Sequence, residues 1–595
     1  MHSVLPSTAS LASSLLFQPI YGASRFESLE RSYQRAIAIG KHYRLTTADI
    51  LTLSERFWAA HMDPLMAVDI AASYILMIQW NLVVGTIAPF VEERPDLKPL
   101  MEQLLNMEVF GEFMLTELDH GLDAKNLETT ATRQSDGSFV LHTPRPGAAK
   151  FMPPTMPIVN VPRVGLVMAR LIVDDEDRGL RAFVVPLNDG KTMCKGVTSV
   201  LLPAMKGGDA LDHAVTSFNK VTLPADAMLG SLARPVQMHQ HFLALIHRVG
   251  VGSVSATLLL VPGLKLATYL VGRYSLQRAI GGPRNRRIPI IRFRTQQLPM
   301  LHALAHSAVL QPFATEVISR FCDSATGPSD RQTISAIHKA VFVQHSQKSF
   351  SSLIERCGAQ GVFEHNHLTN LEVRWSVLWF LLRLTSQLHR PTPVPYRSWK
   401  AMCLFSAFVR RSKRATIFPT CFLTGRSGMA TELLLGRCSV PPARHPGSLL
   451  ARHEAGLLAE NRDLLRTMPH GHRSEKYNQV ILPRCRPLVE AIGHRMAYEA
   501  AADAGVDRDL LSLYEAGVVL LDASWYVEHG LLSRMEIVSM EEQAATALLP
   551  RLEGILDGLE REVYVTAPMG SASRWGEFLH QLPVYGESTS RVSKL

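Results

Sequence analysis

The stretch MLTELDHGLDAKNLETTAT, Met114 to Thr132, crowds Glu117, Asp119, His120 and Asp123 around Gly121 in a chain that is otherwise markedly apolar. A ligand site and a plain surface loop both fit that composition. The hydrophobic entry at Met114 and Leu115 and the Thr pair at the exit place the group at a boundary between two kinds of local structure. Thr116 and Gly121 can therefore be ligand contacts, with the glycine permitting a backbone approach that a side chain would block. They can equally shape a helix-to-strand turn.

The elements around this stretch fall into three textures. From about Glu27 to Gly111 apolar residues recur at three-to-four-residue steps, as in ADILTLSERFWAAHMDPLMAVDIAASYILMIQW, which predicts helices. From Thr129 to Leu229 short β-branched runs (SFVLHTP, RVGLVMARLIV, RAFVVPL, GVTSVLL, AVTSFNKVTL) are separated by DGS, DDEDRG and NDGK, which predicts a small sheet or barrel. Helical patterns return from about Arg234. The expected fold class is α+β and multidomain: helices over 1–111, a central β domain over 112–233, helices over 234–371, an acid-free basic stretch over 372–430, and more helices over 431–592.

With 595 residues, 47% hydrophobic and 19% charged, the chain can bury more than one core. Seven cysteines stand singly without a C-x-x-C pair, which suggests neither a disulfide framework nor a zinc site. The net charge of +9 is local. From Val373 to Thr431 there is no Asp or Glu, while Arg374, Arg383, Arg390, Arg397, Lys400, Arg410, Arg411, Lys413, Arg414 and Arg426 supply the excess. A nucleic-acid footprint is thus not expected of the whole protein. The longest apolar candidate, VGSVSATLLLVPGLKLATYLVG, is interrupted by Pro262 and Lys265, so no membrane span is expected. The amino end has no basic residue ahead of its apolar run, as a secretory signal would require. The chain finishes Ser593-Lys594-Leu595, the tripeptide read by the peroxisomal import receptor.

Helices, a compact β block, then helices is an uncommon order, and four motifs along it make a resemblance specific. LTELDHGLDAKNLETTAT, SFVLHTPRPGAAK, RYSLQRAIGGP and ERCGAQG resemble, in order, elements of the acyl-CoA oxidases and acyl-CoA dehydrogenases. The resemblance covers roughly residues 27–370 and 430–590. It implies FAD as cofactor, an acyl-CoA substrate, a homodimer, and O2 or an electron-transfer flavoprotein as electron acceptor. It also implies residue roles: Leu115 and Thr116 along the flavin ring, Gly121 under close ligand approach, Lys150 and Phe151 near the ring on the next loop. Arg278 would meet the flavin pyrophosphate from a second subunit, and Gly358 and Gly361 would turn near the adenosine end. The closest resemblance is to divergent fungal members, some of which serve secondary metabolism.

The chain departs from that pattern in three places. Asp119 and Leu122 stand where the family has small and hydroxyl residues, and KFMPP (Lys150 to Pro154) replaces an aromatic-rich segment, its two prolines removing backbone donors. Desaturating a thioester also needs a carboxylate to take the α-proton. The oxidases draw it from an E-G-D element past the C-G-G-x-G turn, and no E-G-D occurs in this chain. The acid-free stretch lies where that element belongs and reads as translated non-coding or frame-shifted sequence, with a genuine insertion as the alternative. Glu364, Glu372, Glu432 and His247 are the remaining base candidates, none of which matches the motif, and the catalytic residue is left unassigned. The expected function is FAD-dependent conversion of an acyl-CoA to a trans-2-enoyl-CoA in the peroxisome. The alternatives are a flavoprotein-coupled dehydrogenase and a catalytically degenerate binding partner.

Overall fold

The computed structural model describes residues 7–121, 123–204, 211–369, 371–372, 430, 433–434, 440–468 and 475–584. Leu122, Glu432, nearly all of the acid-free stretch and the terminal tripeptide lie outside the described residues. Helix α1 (Arg25–Tyr43) starts where Ser24 and Glu27 exchange hydrogen bonds in a capping box, and it buries Leu29, Tyr33, Ala36 and Ile39. It packs on α2 (Ile70–Met77), which runs directly into a π-helical segment, Ile78–Val84. Gln79 within that segment donates to the carbonyls of Leu104 (2.7 Å) and Val109 (2.8 Å) and accepts from the amide of Gly111 (2.7 Å). One buried amide therefore fixes where the helices stop and the first strand starts. A widened π turn is a common way to aim such a side chain sideways.

The β region forms two sheets among the described residues. The larger one joins β1 (Phe110–Met114), β2 (Thr130–Arg133), β3 (Phe139–His142), β5 (Arg163–Val173), β6 (Glu176–Asn188), β9 (Val221–Leu223) and β10 (Met228–Leu229). The order is β10-β6-β5-β2-β3-β9, with β1 parallel to β5. The smaller sheet is β4 (Lys150–Pro154), β8 (His213–Phe218) and β7 (Val197–Leu201), in that order. The sequence separated two runs by all of DDEDRG, yet only Asp174 and Asp175 form the turn, and β6 begins at Glu176 opposite Val173. Both turn residues have positive φ (51° and 59°), the geometry of a two-residue hairpin whose twist matches the strands it joins. Strands β1, β2 and β4 were not among the expected runs. Each is four or five residues long, and β4 contains two prolines, so their identity depends on partners distant in sequence.

Helices resume at Met238–Leu245 and continue through α3 (His247–Leu258) and α4 (Leu260–Gln277), followed by a small antiparallel pair, β11 (Ala279–Gly281) and β12 (Arg287–Pro289). The long helices α5 (Arg294–Cys322) and α6 (Pro328–Glu355) come next. Later come α7 (Leu449–Arg466), α8 (Leu482–Asp503), α9 (Arg508–Val519) and α10 (Arg534–Leu548). One apolar core runs without interruption from the amino-terminal helices into these carboxy-terminal ones, and a smaller core lies within the β domain, lined by both sheets. Three helical stretches, Ile70–Phe90, Met238–Gln277 and Arg508–Glu528, are long and apolar enough to cross a membrane by length and composition. In the middle one 94% of the apolar window is buried inside the protein, so its apolarity serves the core.

Candidate functional site

Strand β1 delivers the chain to the stretch that drew attention in the sequence, and the structure shows where its charges go. Glu117 is fully buried. Its carboxylate accepts from the amides of Glu128 (2.7 Å) and Thr129 (2.9 Å), from the Thr129 hydroxyl (2.7 Å) and from the Lys150 ammonium (3.1 Å). Lys150 Nζ, equally buried, also donates to the carbonyls of Met168 (2.7 Å) and Leu115 (3.3 Å). The Lys150 ammonium is thus turned into the β domain. Desolvation opposes charge on both partners. Four donors outweigh it and hold Glu117 below the usual carboxylate range, while burial pulls the Lys150 ammonium down to about 8 against the pull of Glu117.

Asp119, His120 and Glu128 are likewise spent on structure. Arg145 bridges Asp119 and Glu128, and His120 Nε2 meets Glu128 at 2.7 Å, so one half-exposed knot closes the loop. Its hydrogen bonds push Glu128 down to about 2, those from Arg145 most of all. Between the knot and the buried pair lies the part left open. The Thr116 carbonyl accepts from the Phe151 amide (2.9 Å), and Leu118 N–H donates to Ala149 O (3.1 Å). Thr116, Phe151 and Met152 are half-buried, and the Thr116 hydroxyl makes no hydrogen bond among the described residues. Leu115 is buried. A Cβ added at Gly121 would meet no atom within 4 Å among the described residues, so none of them requires a glycine there.

Two motifs far apart in sequence meet on another part of the molecule. Gln296, on the first turn of α5, donates through Nε2 to Ser275 Oγ (2.8 Å) and to the Arg356 carbonyl (3.1 Å), joining the end of α4 to the end of α6. RYSLQRAIGGP and ERCGAQG are thereby held side by side. Arg278 caps α4 with its side chain exposed. Gly358 adopts φ +56° in open space, whereas a Cβ at Gly361 would stand 2.4 Å from the Ile354 carbonyl. Gly361 is therefore needed to seat the turn on α6, whatever the turn binds. Gly361→Ala should lower thermal stability by about 1–3 kcal/mol through overpacking, and Gly358→Ala by about 1 kcal/mol through its left-handed backbone. Thermal unfolding of the two variants without ligand checks both, and an unaffected Gly361→Ala would refute the packing argument.

Of the base candidates, Glu364 is exposed, Glu372 sits half-buried on a short helical stub, and Glu432 is outside the described residues. His247 is exposed at the first turn of α3 with Nδ1 3.0 Å from Ala244 O, while its neighbour Arg248 is buried against the carbonyls of Gly85 (3.1 Å) and Ile50 (2.9 Å). Among the described residues no cluster of His, Cys, Asp and Glu could hold a metal ion. Sequence reasoning missed Gln296 and a buried group formed by Glu112, Arg163, Asp212 and Tyr33. A charged residue at the centre of FGEFM and another at the head of RVGLV were the available signals, since buried charges on strands are paired.

A helical front, a central β domain and a long helical back half make up an architecture that solved acyl-CoA oxidases share. Comparison with solved structures bears this out. The chain superposes on acyl-CoA oxidase 1 of Yarrowia lipolytica with a TM-score of 0.76 over 98% of this chain and 90% of that one, at 17% identity. Acyl-CoA oxidase-2 of Caenorhabditis elegans, solved with FAD, ascaroside-CoA and ATP, gives 0.64 over 97% and 93%, also at 17% identity. In sequence the chain is similar to curated acyl-CoA oxidases. It is 27% identical over 391 residues to peroxisomal acyl-coenzyme A oxidase 3 of Homo sapiens, covering 60% of this chain and 55% of the human protein. The chain spans about half the length of the curated relatives it matches. No protein-family profile matches it.

Proposed function

We propose that this chain binds FAD and an acyl-CoA thioester and forms the trans-2-enoyl-CoA, passing electrons to O2. The observation that carries the reading is the open edge at Thr116: a half-buried hydroxyl without an intramolecular partner among the described residues, beside the half-buried Phe151 and Met152. One free donor next to two apolar side chains suits a flat heteroaromatic ring with a polar rim. Flavin, when bound, supplies the acceptor for the β-hydride. The chain's own part is to seat the ring: the Thr116–Phe151 backbone bond fixes the two loops, and the buried Glu117–Lys150 pair anchors them from below. Among the described residues no hydrogen bond or ion pair joins the loops at Thr116 and Phe151 to the turns at Arg278 and Gly358. That arrangement suits a site completed by a second copy of the chain, with Arg278 reaching the pyrophosphate of the partner's flavin. A fungal secondary-metabolite route is the setting that the resemblance favours.

The purified protein should be yellow, its flavin should bleach under acyl-CoA without air, and turnover in air should release hydrogen peroxide. Turnover only with an added artificial or flavoprotein acceptor, and no peroxide in air, would assign a dehydrogenase. The absence of E-G-D favours a second reading, a member that keeps the fold and binds without turning over. A colourless protein that still binds acyl-CoA would support it. For location, an amino-terminal fluorescent fusion should be punctate and peroxisomal, and removal of Ser593, Lys594 and Leu595 should leave it diffuse. Peroxisomal fluorescence that survives the deletion would refute the address.

A further inference from the structure

The β4 segment is an unstable piece of backbone held by side chains from elsewhere. Met152 has φ +76°, in the left-handed region that a non-glycine residue enters only at a cost. The pairing with β8 slips between Phe151 and Pro154, and Pro153 and Pro154 offer no N–H to any ladder. Its carbonyls are caught one by one. His213 Nδ1 lies 2.8 Å from Met152 O, Arg163 Nη1 donates to Pro154 O at 2.6 Å, and Asn188 Nδ2 to Thr155 O at 2.9 Å.

Arg163 is the strongest of these anchors, and its own surroundings are unusual. Its side chain is wholly buried between two carboxyl groups, Glu112 Oε1 at 3.0 Å and Asp212 Oδ2 at 2.9 Å. The Tyr33 ring roofs the guanidinium at 4.8 Å, and the Tyr33 hydroxyl donates to Asp212 Oδ1 at 2.8 Å. Tyr33 belongs to α1, Glu112 to β1 and Arg163 to β5, so the helical front half reaches the loop of the β domain through one guanidinium. We propose that Arg163 is a positioning residue that sets the β4 loop, and that Tyr33, Glu112 and Asp212 hold it there. This rests on the flavin reading above, since that loop carries Phe151 and Met152.

Two carboxyls on one guanidinium cannot both be neutralised by it. Burial first, and then Asp212 beside it, push Glu112 up to about 8, and its Oε2 has no partner among the described residues, as suits a neutral carboxyl. The groups facing it are Arg163, Asp212 and Tyr33, with His213 next to Asp212 and Arg25 next to His213. Above pH ~8 Glu112 ionises and pulls Arg163 toward itself, away from Pro154. The grip on the loop should therefore weaken as pH rises.

Amide protection at Phe151, Met152 and Thr155 in the flavin-free full chain tests this. Arg163→Lys should lose about tenfold protection there, and Tyr33→Phe somewhat less, with residues 180–185 of β6 unaffected. FAD affinity should fall by a similar factor in both variants. It should also fall in the wild type from pH 7 to 9.5, whereas Glu112→Gln should give a flat profile. Unchanged protection in Tyr33→Phe, which keeps every charge and the ring, would overturn the proposal even if Arg163→Lys does not fold. A pH profile that persists in Glu112→Gln would do the same. A wild type that takes up no flavin defeats the flavin reading alone, because the exchange comparison is made without flavin.

Discussion

Replacing Val373 to Thr431 by a family-like segment containing E-G-D should raise the rate of flavin bleaching under acyl-CoA by about 10² to 10⁴, the usual worth of a positioned general base. The unaltered chain should bleach slowly or not at all. Desaturation breaks two C–H bonds, and flavin accepts only the hydride, so the α-proton needs its own acceptor near the thioester. Glu364 is exposed and Glu372 only half-buried, and His247 spends Nδ1 on Ala244 O while standing at the surface. None is pre-set as the acceptor. Single-turnover absorbance on both versions decides the matter. Rapid bleaching by the unaltered chain would sink the idea and direct mutagenesis to Glu372, Glu432 and His247, in that order.

The legible and illegible parts of this protein separate by the range of the interactions involved. The helical blocks could be read because α5 carries long apolar periodicity, and β5 and the second half of β6 because RVGLVMARLIV and RAFVVPL are apolar, β-rich runs, whereas the charged start of β6 was not legible as strand. Strand β4 could not be read, since KFMPP is made a strand by His213, Arg163 and Asn188, which lie at least nine residues away. At the site, the Phe151 amide meets the Thr116 carbonyl, while the neighbouring Lys150 sends its side chain inward to Glu117 and Met168. A lysine's chemistry depends on which side of a strand it faces, and a one-residue change of register moves it from cleft to core. The carboxylates around Gly121 advertised chemistry, yet Glu117, Asp119 and Glu128 are consumed by Lys150, Arg145 and His120. Charge density in a sequence marks where ion pairs form as readily as where substrates bind.

The buried Glu117–Lys150 pair should be the most costly single element of the site to break. Glu117→Gln leaves a buried ammonium with neutral acceptors only and no counter-charge in a dry interior, and losing one partner of such a pair costs about 3–5 kcal/mol. Lys150→Met should cost less, because the Glu117 carboxylate keeps the amides of Glu128 and Thr129 and the Thr129 hydroxyl. The double variant should recover most of the loss, since no charge then remains buried. The pH dependence has a definite sign. Lys150 binds its proton more weakly in the fold than in the unfolded chain, so between about 8 and its unfolded value near ~10.4 stability rises with pH, by about 1.4 kcal/mol per unit. Glu117→Gln lowers the folded value further and widens that window downward, so the gap to the wild type should narrow from pH 7 to pH 10. Glu117 acts at the other end: its contribution is present above the unfolded carboxylate value and is lost as pH falls through its lowered folded value. Chemical unfolding of the four proteins at pH 7 and 9.5 measures all of this. A gap that stays constant with pH, or single variants within about 1 kcal/mol of the wild type, would show that the loops at Thr116 and Phe151 are held by backbone bonds alone.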